Sequence, residues 1–356
     1  MRIAQISPLF ERVPPPQYGG TERVVSWITE ALVGQGHEVT LFASGDSATS
    51  ASLHPVTKTS LRSLGIGAED YGSHFLLQEQ VFQRADEFDI IHSHVEALCY
   101  PVARRTKTPV ISTLHGRLDL LTCKLLYEEF SEVQLTSISQ TQRKPMPDLN
   151  WIGNVYHGLP RDLFQLGEGK GKYLVHLGRI SPEKGTDLAI DIAERVGMKL
   201  IVAGKVDRAD QEYFEELVKP KIDRSKLVEY IGEVGDDEKN DLLGSALAMI
   251  FPITVAEPFG LVMIEAMACG APVIAFPKGS VTEVLDHGIT GLFCSTVEEA
   301  VKSVEHAARM DRSICRRTFE ERFVVERMVE EYVRIYEKIS DRDTVLPLAY
   351  EPAYST

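Results

Sequence analysis

Residues 246–276 constrain the fold most, because short apolar runs here flank a stretch of helix-forming residues. The runs at 246–253 and 272–276 predict strands that are buried on both faces, as in a parallel sheet. Between them, residues 261–268 are good helix formers, and Gly270 suits the end of a helix. Strand, helix and strand in this order form a βαβ unit. Open α/β sheets of this kind bind ligands beyond the carboxyl ends of their strands.

Two glutamates frame the predicted binding edge, Glu257 in the loop and Glu265 inside the helix. The backbone amides of Phe259, Gly260 and Leu261 start the helix, where free N–H groups and the helix dipole favour anionic oxygen. A carboxylate at such an edge can instead accept hydrogen bonds from the hydroxyls of a sugar or a ribose. The alternative is that Glu257 only interacts with the helix dipole and that Glu265 is a solvated surface residue.

The run EPFGLVMIEAMACGAPVIA, in which seven residues separate Glu257 from Glu265, resembles the E-x7-E motif of retaining glycosyltransferase family 4. The resemblance extends over nearly the whole chain. It implies an α/β architecture, the GT-B fold, in which two Rossmann-like domains with parallel sheets face each other across a cleft. It also implies that Glu265 binds the ribose hydroxyls of a nucleotide-sugar donor. Glu257 and the amides of Phe259, Gly260 and Leu261 would then bind the sugar.

The length of 356 residues favours two domains, because single hydrophobic cores stop growing below this size. The segment at 159–172 contains proline and glycine without apolar periodicity, which is typical of a connection between domains. We expect an acceptor-binding domain at 1–160 and a donor-binding domain at 161–320. The resemblance further implies a helix at 321–340 that crosses back to the first domain. The tail at 341–356 is expected to be loosely ordered.

The formal net charge of −14 disfavours nucleic-acid binding, which needs clustered cations. No apolar run reaches the roughly 20 residues of a membrane helix, so membrane association is expected to be peripheral at most, through a patch such as Arg104, Arg105 and Lys107. The start of the chain lacks the apolar segment of a signal peptide, which makes the cytoplasm the expected location. The five cysteines are scattered and odd in number, which argues against disulfides and structural zinc.

A polar loop after the first predicted strand ends at Gly19 and Gly20, where a helix is expected to begin. Paired glycines let a ligand approach the backbone, and a helix start favours phosphate, although Gly-Gly alone is more often a flexible turn. The resemblance implies that Gly19 and Gly20 lie close to the donor diphosphate.

Two predicted strands, at 89–94 and 109–115, each end in a histidine. Since the carboxyl end of a parallel strand lies at the ligand edge, both His94 and His115 are candidates for the site. The context of His115 resembles the active-site histidine of the family, and His94 is a possible lining residue. We expect His92 to face away from His94, as an unconnected histidine near the end of the strand. No third ligand stands at a suitable spacing, so a metal site is not expected.

In the second half, a predicted strand at 173–177 runs into the segment GRISPEKG, which carries Arg179 and Lys184. The planar fork of arginine and the point charge of lysine can together neutralise a diphosphate, whereas the alternative is a solvated pair on an exposed loop. The GR-x4-KG pattern resembles the diphosphate clamp of the family, which implies that role for both residues. The resemblance also implies contacts to the nucleotide base near Gly232, Glu233 and Val234.

Apolar periodicity predicts an amphipathic helix over most of 206–224 and a helix at 317–339. The resemblance implies that residues 134–139 and 154–158 are the last two strands of the amino-terminal domain. Structural roles are expected there for Ser139, His157 and Gly158.

Together these features predict a retaining glycosyltransferase that moves a sugar from a nucleotide-sugar donor, such as UDP-glucose or a similar UDP-hexose, to an acceptor hydroxyl. The expected catalytic residues are His115, Arg179, Lys184 and Glu257. Fixed cations and a helix end would stabilise the departing diphosphate, so no cofactor or metal is expected. The acceptor would be a sugar, a lipid-linked group or a small molecule, in polysaccharide, glycolipid or other glycoconjugate synthesis.

Two alternatives stay open. One is another GT-B activity on nucleotide sugars, epimerisation or phosphorolysis. The other is a non-catalytic protein that only binds a nucleotide sugar, which the complete set of Arg179, Lys184, Glu257 and Glu265 disfavours.

Overall fold

The computed structural model describes residues 1–67 and 71–340, which form two parallel sheets with helices packed around them. The amino-terminal sheet has seven strands in the order β3-β2-β1-β4-β5-β6-β7. These strands are β1 (Arg2–Ile6), β2 (Glu38–Ser44), β3 (Ser52–Thr57), β4 (Ile90–Ser93), β5 (Val110–Thr113), β6 (Gln134–Ser137) and β7 (Trp151–Asn154).

The carboxyl-terminal sheet has six strands in the order β10-β9-β8-β11-β12-β13. These are β8 (Tyr173–Leu177), β9 (Lys199–Ala203), β10 (Val228–Tyr230), β11 (Ala248–Phe251), β12 (Val273–Ala275) and β13 (Gly291–Phe293). In both sheets the chain starts near the centre, winds to one edge and then crosses to the other. This is the doubly wound arrangement that places ligand crevices where the strand order reverses. The predicted fold of two Rossmann-like domains is confirmed.

Helices connect the strands and cover the sheets. In the first domain they are α1 (Gly20–Gly34), α2 (Gly72–Phe82), α3 (Tyr100–Ala103) and α4 (Leu121–Glu129). In the second they are α5 (Thr186–Val196), α6 (Gln211–Tyr213), α7 (Lys219–Arg224), α8 (Asp236–Ser245), α9 (Leu261–Ala268), α10 (Val281–Val284) and α11 (Val297–Ala307), followed by α12 (Arg312–Arg322) and α13 (Val325–Ser340). None of the described helices combines the length and the apolar character that crossing a bilayer requires.

The βαβ unit predicted from residues 246–276 is present as β11, α9 and β12. All four residues of β11 and all three of β12 are buried, because helices cover both faces of the sheet. The two strands pair in parallel, with Met249 opposite Val273. Both strands are shorter than the apolar runs that predicted them, because most of the flanking apolar residues are buried outside the strands.

The prediction of a strand at 154–158 is wrong. The strand β7 ends at Asn154, and the chain then leaves the sheet towards the second domain. The Leu159 amide donates to the Phe323 carbonyl at 2.9 Å, and the Val325 amide donates to the Leu159 carbonyl at 2.8 Å. At Gly158, an added Cβ would lie 2.3 Å from the Val324 carbonyl oxygen, so only glycine permits this crossing.

The same crossing breaks the helix predicted at 317–339 into α12 and α13. The backbone at Phe323 and Val324 pairs with the Leu159 segment instead of continuing a helix, and the Phe323 side chain is fully buried. The second piece, α13, packs against α1 of the first domain and buries Tyr332 and Tyr336 there. The tail predicted at 341–356 lies outside the described residues.

One further prediction differs from the structure, and one strand was not predicted. The helix expected at 206–224 is interrupted by a π-helical turn at Phe214–Val218, directly before α7. Pro220 stands at the start of α7 and has no backbone N–H, so regular hydrogen bonding cannot continue through it. The edge strand β3 was missed because its residues are half-buried or exposed, which leaves no apolar alternation to detect.

Candidate active site

A cavity of about 140 Å³ lies between the two domains, at the carboxyl ends of their central strands. The loop that ends at Gly19 and Gly20, called the GG loop below, forms one wall together with α1. The ends of β8 and β9 with the start of α9 form the other wall. Six of the residues singled out in the sequence line this cavity: Gly19, Gly20, Glu233, Val234, Leu261 and Glu265. Gly232 does not line it, although its carbonyl accepts a hydrogen bond from the cavity-lining Gly204 at 2.7 Å.

Glu265 is the most deeply placed charge in the cavity wall, with only 2% of its surface exposed. Its Oε1 accepts a hydrogen bond from Lys239 Nζ at 2.8 Å. Its Oε2 is buried and has no hydrogen-bond partner among the described residues. A buried carboxylate oxygen without a donor is costly, so this atom is available to a ligand hydroxyl. The suggestion that Glu265 is a solvated surface residue is therefore wrong.

Lys239 belongs to a polar chain that crosses between the domains and was not found from the sequence. Its Nζ also lies 3.7 Å from an oxygen of Asp236, and Asp236 pairs with Arg23 of α1. Arg23 in turn donates to the carbonyl of Gln17 at 2.6 Å, in the loop that leads to Gly19. The cavity carboxylate is thus connected to the opposite domain through two cations, Lys239, which is partly buried, and Arg23, which is buried.

The two glycines of the GG loop differ in their backbone conformation and in what surrounds them. Gly19 has a φ of 144°, and an added Cβ would lie 2.8 Å from the Pro15 side chain, so glycine is required there. Gly20 begins α1, and an added Cβ would lie 3.6 Å from Leu261 at the start of α9. The amino ends of α1 and α9 therefore approach each other across the cavity. Both ends favour an anionic group between them.

Arg179 and Lys184 do not line the 140 Å³ cavity; each is held by acids in this structure. Arg179 pairs with Glu183 and lies 3.3 Å from Asp210. Lys184 Nζ lies 2.5 Å from Glu257 Oε2. Both cations are partly buried, so the alternative of a solvated pair on an exposed loop is wrong.

The loop that carries Glu257 is fixed from its backbone. The Glu257 carbonyl accepts from the Ser280 amide at 2.9 Å, and Ser280 Oγ donates to the Phe259 carbonyl at 2.8 Å. The Phe259 ring is buried, and its centroid lies 4.9 Å from that of His157 and 6.2 Å from that of Phe323. Phe259 therefore anchors the loop against the first domain, while Gly260 lets α9 start directly after it with a φ of 79°.

His115 and His94 are in contact: His115 Nε2 lies 2.9 Å from His94 Nδ1. Burial lowers the pKa of His115 to about 3 and holds the pKa of His94 well below its ordinary value, so both rings are neutral. The prediction that His92 faces away from His94 is wrong, because their ring centroids are 4.0 Å apart. Residues two positions apart along an extended chain lie on the same face, so alternation in fact places His92 and His94 on one side.

Glu96 positions the backbone around His115 and was not detected in the sequence. Its Oε1 accepts from the amides of His115 and Gly116 at 2.9 and 3.0 Å, and its Oε2 accepts from Tyr127 at 2.9 Å. Glu96 itself has a φ of 51°, which is strained for a residue with a side chain. A glutamate that pairs with backbone amides leaves no signal in spacing or periodicity.

The loop after His115 also faces the second domain. Arg117 pairs with Asp119 at 2.7 Å, and the negative charges of Asp119, Glu183 and Glu257 all raise the pKa of Arg117. The loops that carry Arg117, Glu183 and Glu257 therefore share one electrostatic environment. No group of three or more potential ligand residues within 1–67 and 71–340 is arranged to hold a metal, and metal independence stays a prediction.

Two Rossmann-like domains with a ligand cavity between them define the GT-B class of glycosyltransferase fold. Residues 18–152 match the family model described as Glycosyltransferase Family 4, and residues 160–318 match the one described as Glycosyl transferases group 1. The chain belongs to this glycosyltransferase family, as its motifs predicted.

Named relatives cover most of the chain. N-acetyl-alpha-D-glucosaminyl L-malate synthase of Bacillus anthracis is 26% identical over 370 residues, which cover 90% of this chain and 94% of that protein. Phosphatidyl-myo-inositol mannosyltransferase of Propionibacterium freudenreichii is 24% identical over 328 residues, which cover 82% and 81%.

Solved structures share the fold. HepE of Anabaena, crystallised with UDP-glucose, has a TM-score of 0.74 at 19% identity and covers 96% of this chain and 99% of its own. AviGT4, a glycosyltransferase involved in avilamycin A biosynthesis, has a TM-score of 0.71 at 22% identity, with 96% and 98% covered.

Proposed function

We propose that this protein transfers a hexose from a nucleoside diphosphate sugar to an acceptor hydroxyl, with retention at the anomeric carbon. The observation that carries the proposal is the buried, unpartnered Oε2 of Glu265 in a cavity bounded by two helix amino ends. A ribose places a hydroxyl donor against this oxygen, and the attached diphosphate then lies near the helix ends. One ligand thereby satisfies both features.

Arg179 and Lys184 take the diphosphate in this proposal. Both cations are paired with acids in this structure, so binding of the donor would exchange these carboxylate contacts for phosphate oxygens. Negative charge grows on the diphosphate as the sugar leaves, and fixed cations stabilise that state more than the bound donor. The two side chains carry this charge without a metal, and we expect transfer to persist in EDTA.

Glu257 and His115 flank the sugar. When Lys184 turns to phosphate, Glu257 Oε2 is released to accept from sugar hydroxyls. The bond between the anomeric carbon and the diphosphate oxygen breaks, and a bond to the acceptor oxygen forms on the same face. The acceptor proton passes to the departing phosphate oxygen. Glu257 holds the sugar and does not form a covalent intermediate.

The base lies against Glu233 and Val234, which line the cavity opposite the GG loop. The UDP-glucose complex of HepE supports UDP-glucose as the first donor to examine. The names of the relatives include acceptors as different as malate and an inositol lipid. We therefore assign the acceptor only as a hydroxyl compound that binds from the amino-terminal domain.

A thermal-shift screen of nucleotide sugars tests the donor, because a ligand that binds only the folded protein raises its Tm. The best donor, radiolabelled in the sugar, is then incubated with and without candidate acceptors. A transfer product whose anomeric carbon keeps the configuration of the donor supports the proposal. An epimerised sugar, or sugar phosphate formed with inorganic phosphate, indicates the other GT-B activities. If the donor binds but is neither transferred nor slowly hydrolysed, the protein is non-catalytic.

A further inference from the structure

A continuous row of buried polar side chains runs from α13 to the candidate catalytic histidine. It contains Tyr336, His92, Gln5, His94 and His115. The first four are fully buried or nearly so, with at most 2% of their surface exposed. Because water does not reach these groups, each contact between them needs one hydrogen and one acceptor.

The direction of these hydrogen bonds follows from Gln5. Its Oε1, which can only accept, lies 3.0 Å from His94 Nε2, so His94 carries its proton on Nε2. His94 is neutral, and its Nδ1 is therefore an acceptor. This Nδ1 lies 2.9 Å from His115 Nε2, which must carry the proton. His115 is thus held with its proton on Nε2 and with a free lone pair on Nδ1.

The other end of the row holds the Gln5 amide in this orientation. Gln5 Nε2 lies 3.4 Å from Tyr336 Oη and 3.5 Å from His92 Nδ1, and Tyr336 Oη lies 2.6 Å from the same His92 nitrogen. Gln5 donates to Tyr336, and Tyr336 donates to His92. His92 Nε2 then donates to Thr113 Oγ1 at 2.7 Å, which completes the row without an unpaired group.

We propose that Gln5 and His94 are positioning residues that fix His115 in its Nε2–H form, so that Nδ1 accepts a hydrogen bond from a hydroxyl of the transferred sugar. Among the described residues, His115 Nδ1 has no hydrogen-bond partner to compete for this role. Tyr336 of α13 orients the Gln5 amide. The helix that crosses from the second domain therefore determines which nitrogen of His115 can accept from a sugar hydroxyl. The inference rests on the proposed function for the identity of the ligand, but the protonation pattern does not.

The pattern is testable without any donor. Protein labelled with ¹⁵N-histidine reports which ring nitrogen carries the proton, and His115→Gln assigns the signals of His115. We expect a protonated Nε2 and a bare Nδ1 for His115 in the wild-type protein. In Tyr336→Phe, Gln5 loses the hydroxyl that orients it, and we expect a mixture of both forms at His115.

Tyr332→Phe is the matched control, because Tyr332 lies one turn away on α13 and contacts Thr113 at 3.0 Å instead of Gln5. It removes an equally buried hydroxyl, and we expect it to leave the His115 signals unchanged. A Gln5→Met substitution removes the acceptor for His94 and should also mix the two forms. Gln5→Glu restores an acceptor and should restore the wild-type pattern.

Transfer kinetics then connect the pattern to the reaction. We expect Gln5→Met to lower kcat about tenfold, the effect of one lost hydrogen bond, and to leave the Kd of UDP unchanged, because UDP lacks the sugar hydroxyl. Gln5→Glu should recover most of this loss. A proton on Nδ1 of His115 in the wild-type protein overturns the inference, as does an unchanged pattern in both Gln5→Met and Tyr336→Phe. Failure of every nucleotide sugar to react would contradict the proposed function and leave the NMR result standing.

Discussion

Lys184 Nζ lies 2.5 Å from Glu257 Oε2, so the proposed diphosphate cation and the proposed sugar-binding acid neutralise each other in this structure. Both side chains are largely buried, with 22% and 10% exposed, so neither is well solvated without its partner. A donor with a diphosphate beside a sugar provides each of them with a new partner at once. We therefore expect donor binding to be coupled to the opening of this pair.

Lys184→Ala is expected to lower kcat roughly 10²–10³-fold, since one fixed charge on the leaving group is lost. The measurement is steady-state transfer with the donor found by thermal shift. Lys199→Ala is the control, because Lys199 pairs with Glu229 on the surface, with half of its side chain exposed. Equal activities of the two variants would contradict the proposed clamp.

Glu257→Gln is expected to lower turnover about 10²-fold, because the sugar is no longer held in position for attack by the acceptor. The same substitution leaves Lys184 without its buried anion. Mass spectrometry of the wild-type enzyme during turnover should detect no glycosyl group on Glu257. Detection of such an adduct would replace same-face attack by a covalent mechanism.

Glu265→Gln is expected to weaken UDP binding roughly 10–100-fold, because a hydrogen bond between the ribose and a charged acceptor becomes a neutral one. Isothermal titration with UDP measures the change, and Glu229→Gln on the surface is the control. The loss should be absent for a ligand that lacks the ribose hydroxyls, such as the 2′,3′-dideoxy analogue of UDP. If both ligands lose affinity equally, Glu265 does not contact the ribose.

Local patterns predicted the parts of this site that depend on consecutive residues. The β11–α9–β12 unit is encoded by apolar runs and helix formers within 31 residues, and Glu257 and Glu265 are fixed within it by chain spacing. The GG loop likewise carries its own conformational requirement, since Gly19 has a φ that side chains disfavour. Such features are visible because neighbours in the chain impose them.

Groups that meet only through the tertiary fold were not predicted. Arg23, Lys239 and Glu96 contact their partners across 213, 26 and 19 residues of chain, with no local motif to mark them. The break between α12 and α13 has the same origin, because it depends on pairing with Leu159 from a distant segment. Apolar periodicity continues through that break, so periodicity alone predicts one helix.

We predict that Glu22 makes the stability of the first domain depend on pH. It lies in the first turn of α1, is 5% exposed, and accepts the Glu11 amide at 3.3 Å. Burial raises the pKa of Glu22 to about 7 from an ordinary value of 4.5. Because the folded protein binds this proton more tightly than the unfolded chain, burial of Glu22 costs nothing below pH 4.5. Its cost rises between pH 4.5 and 7 and is complete above pH 7.

Glu22→Gln removes this cost, because the amide oxygen still accepts the Glu11 hydrogen and carries no charge. Relative to the wild type, we expect the free energy of unfolding of Glu22→Gln to increase by up to about 3 kcal/mol between pH 5 and pH 8, at about 1.36 kcal/mol per pKa unit. Urea denaturation at intervals of one pH unit measures this difference. Glu38→Gln, at an exposed position of β2, should show no such trend. A constant difference between Glu22→Gln and the wild type at every pH would show that Glu22 does not titrate in this range, because only a residue that changes charge there can produce a slope.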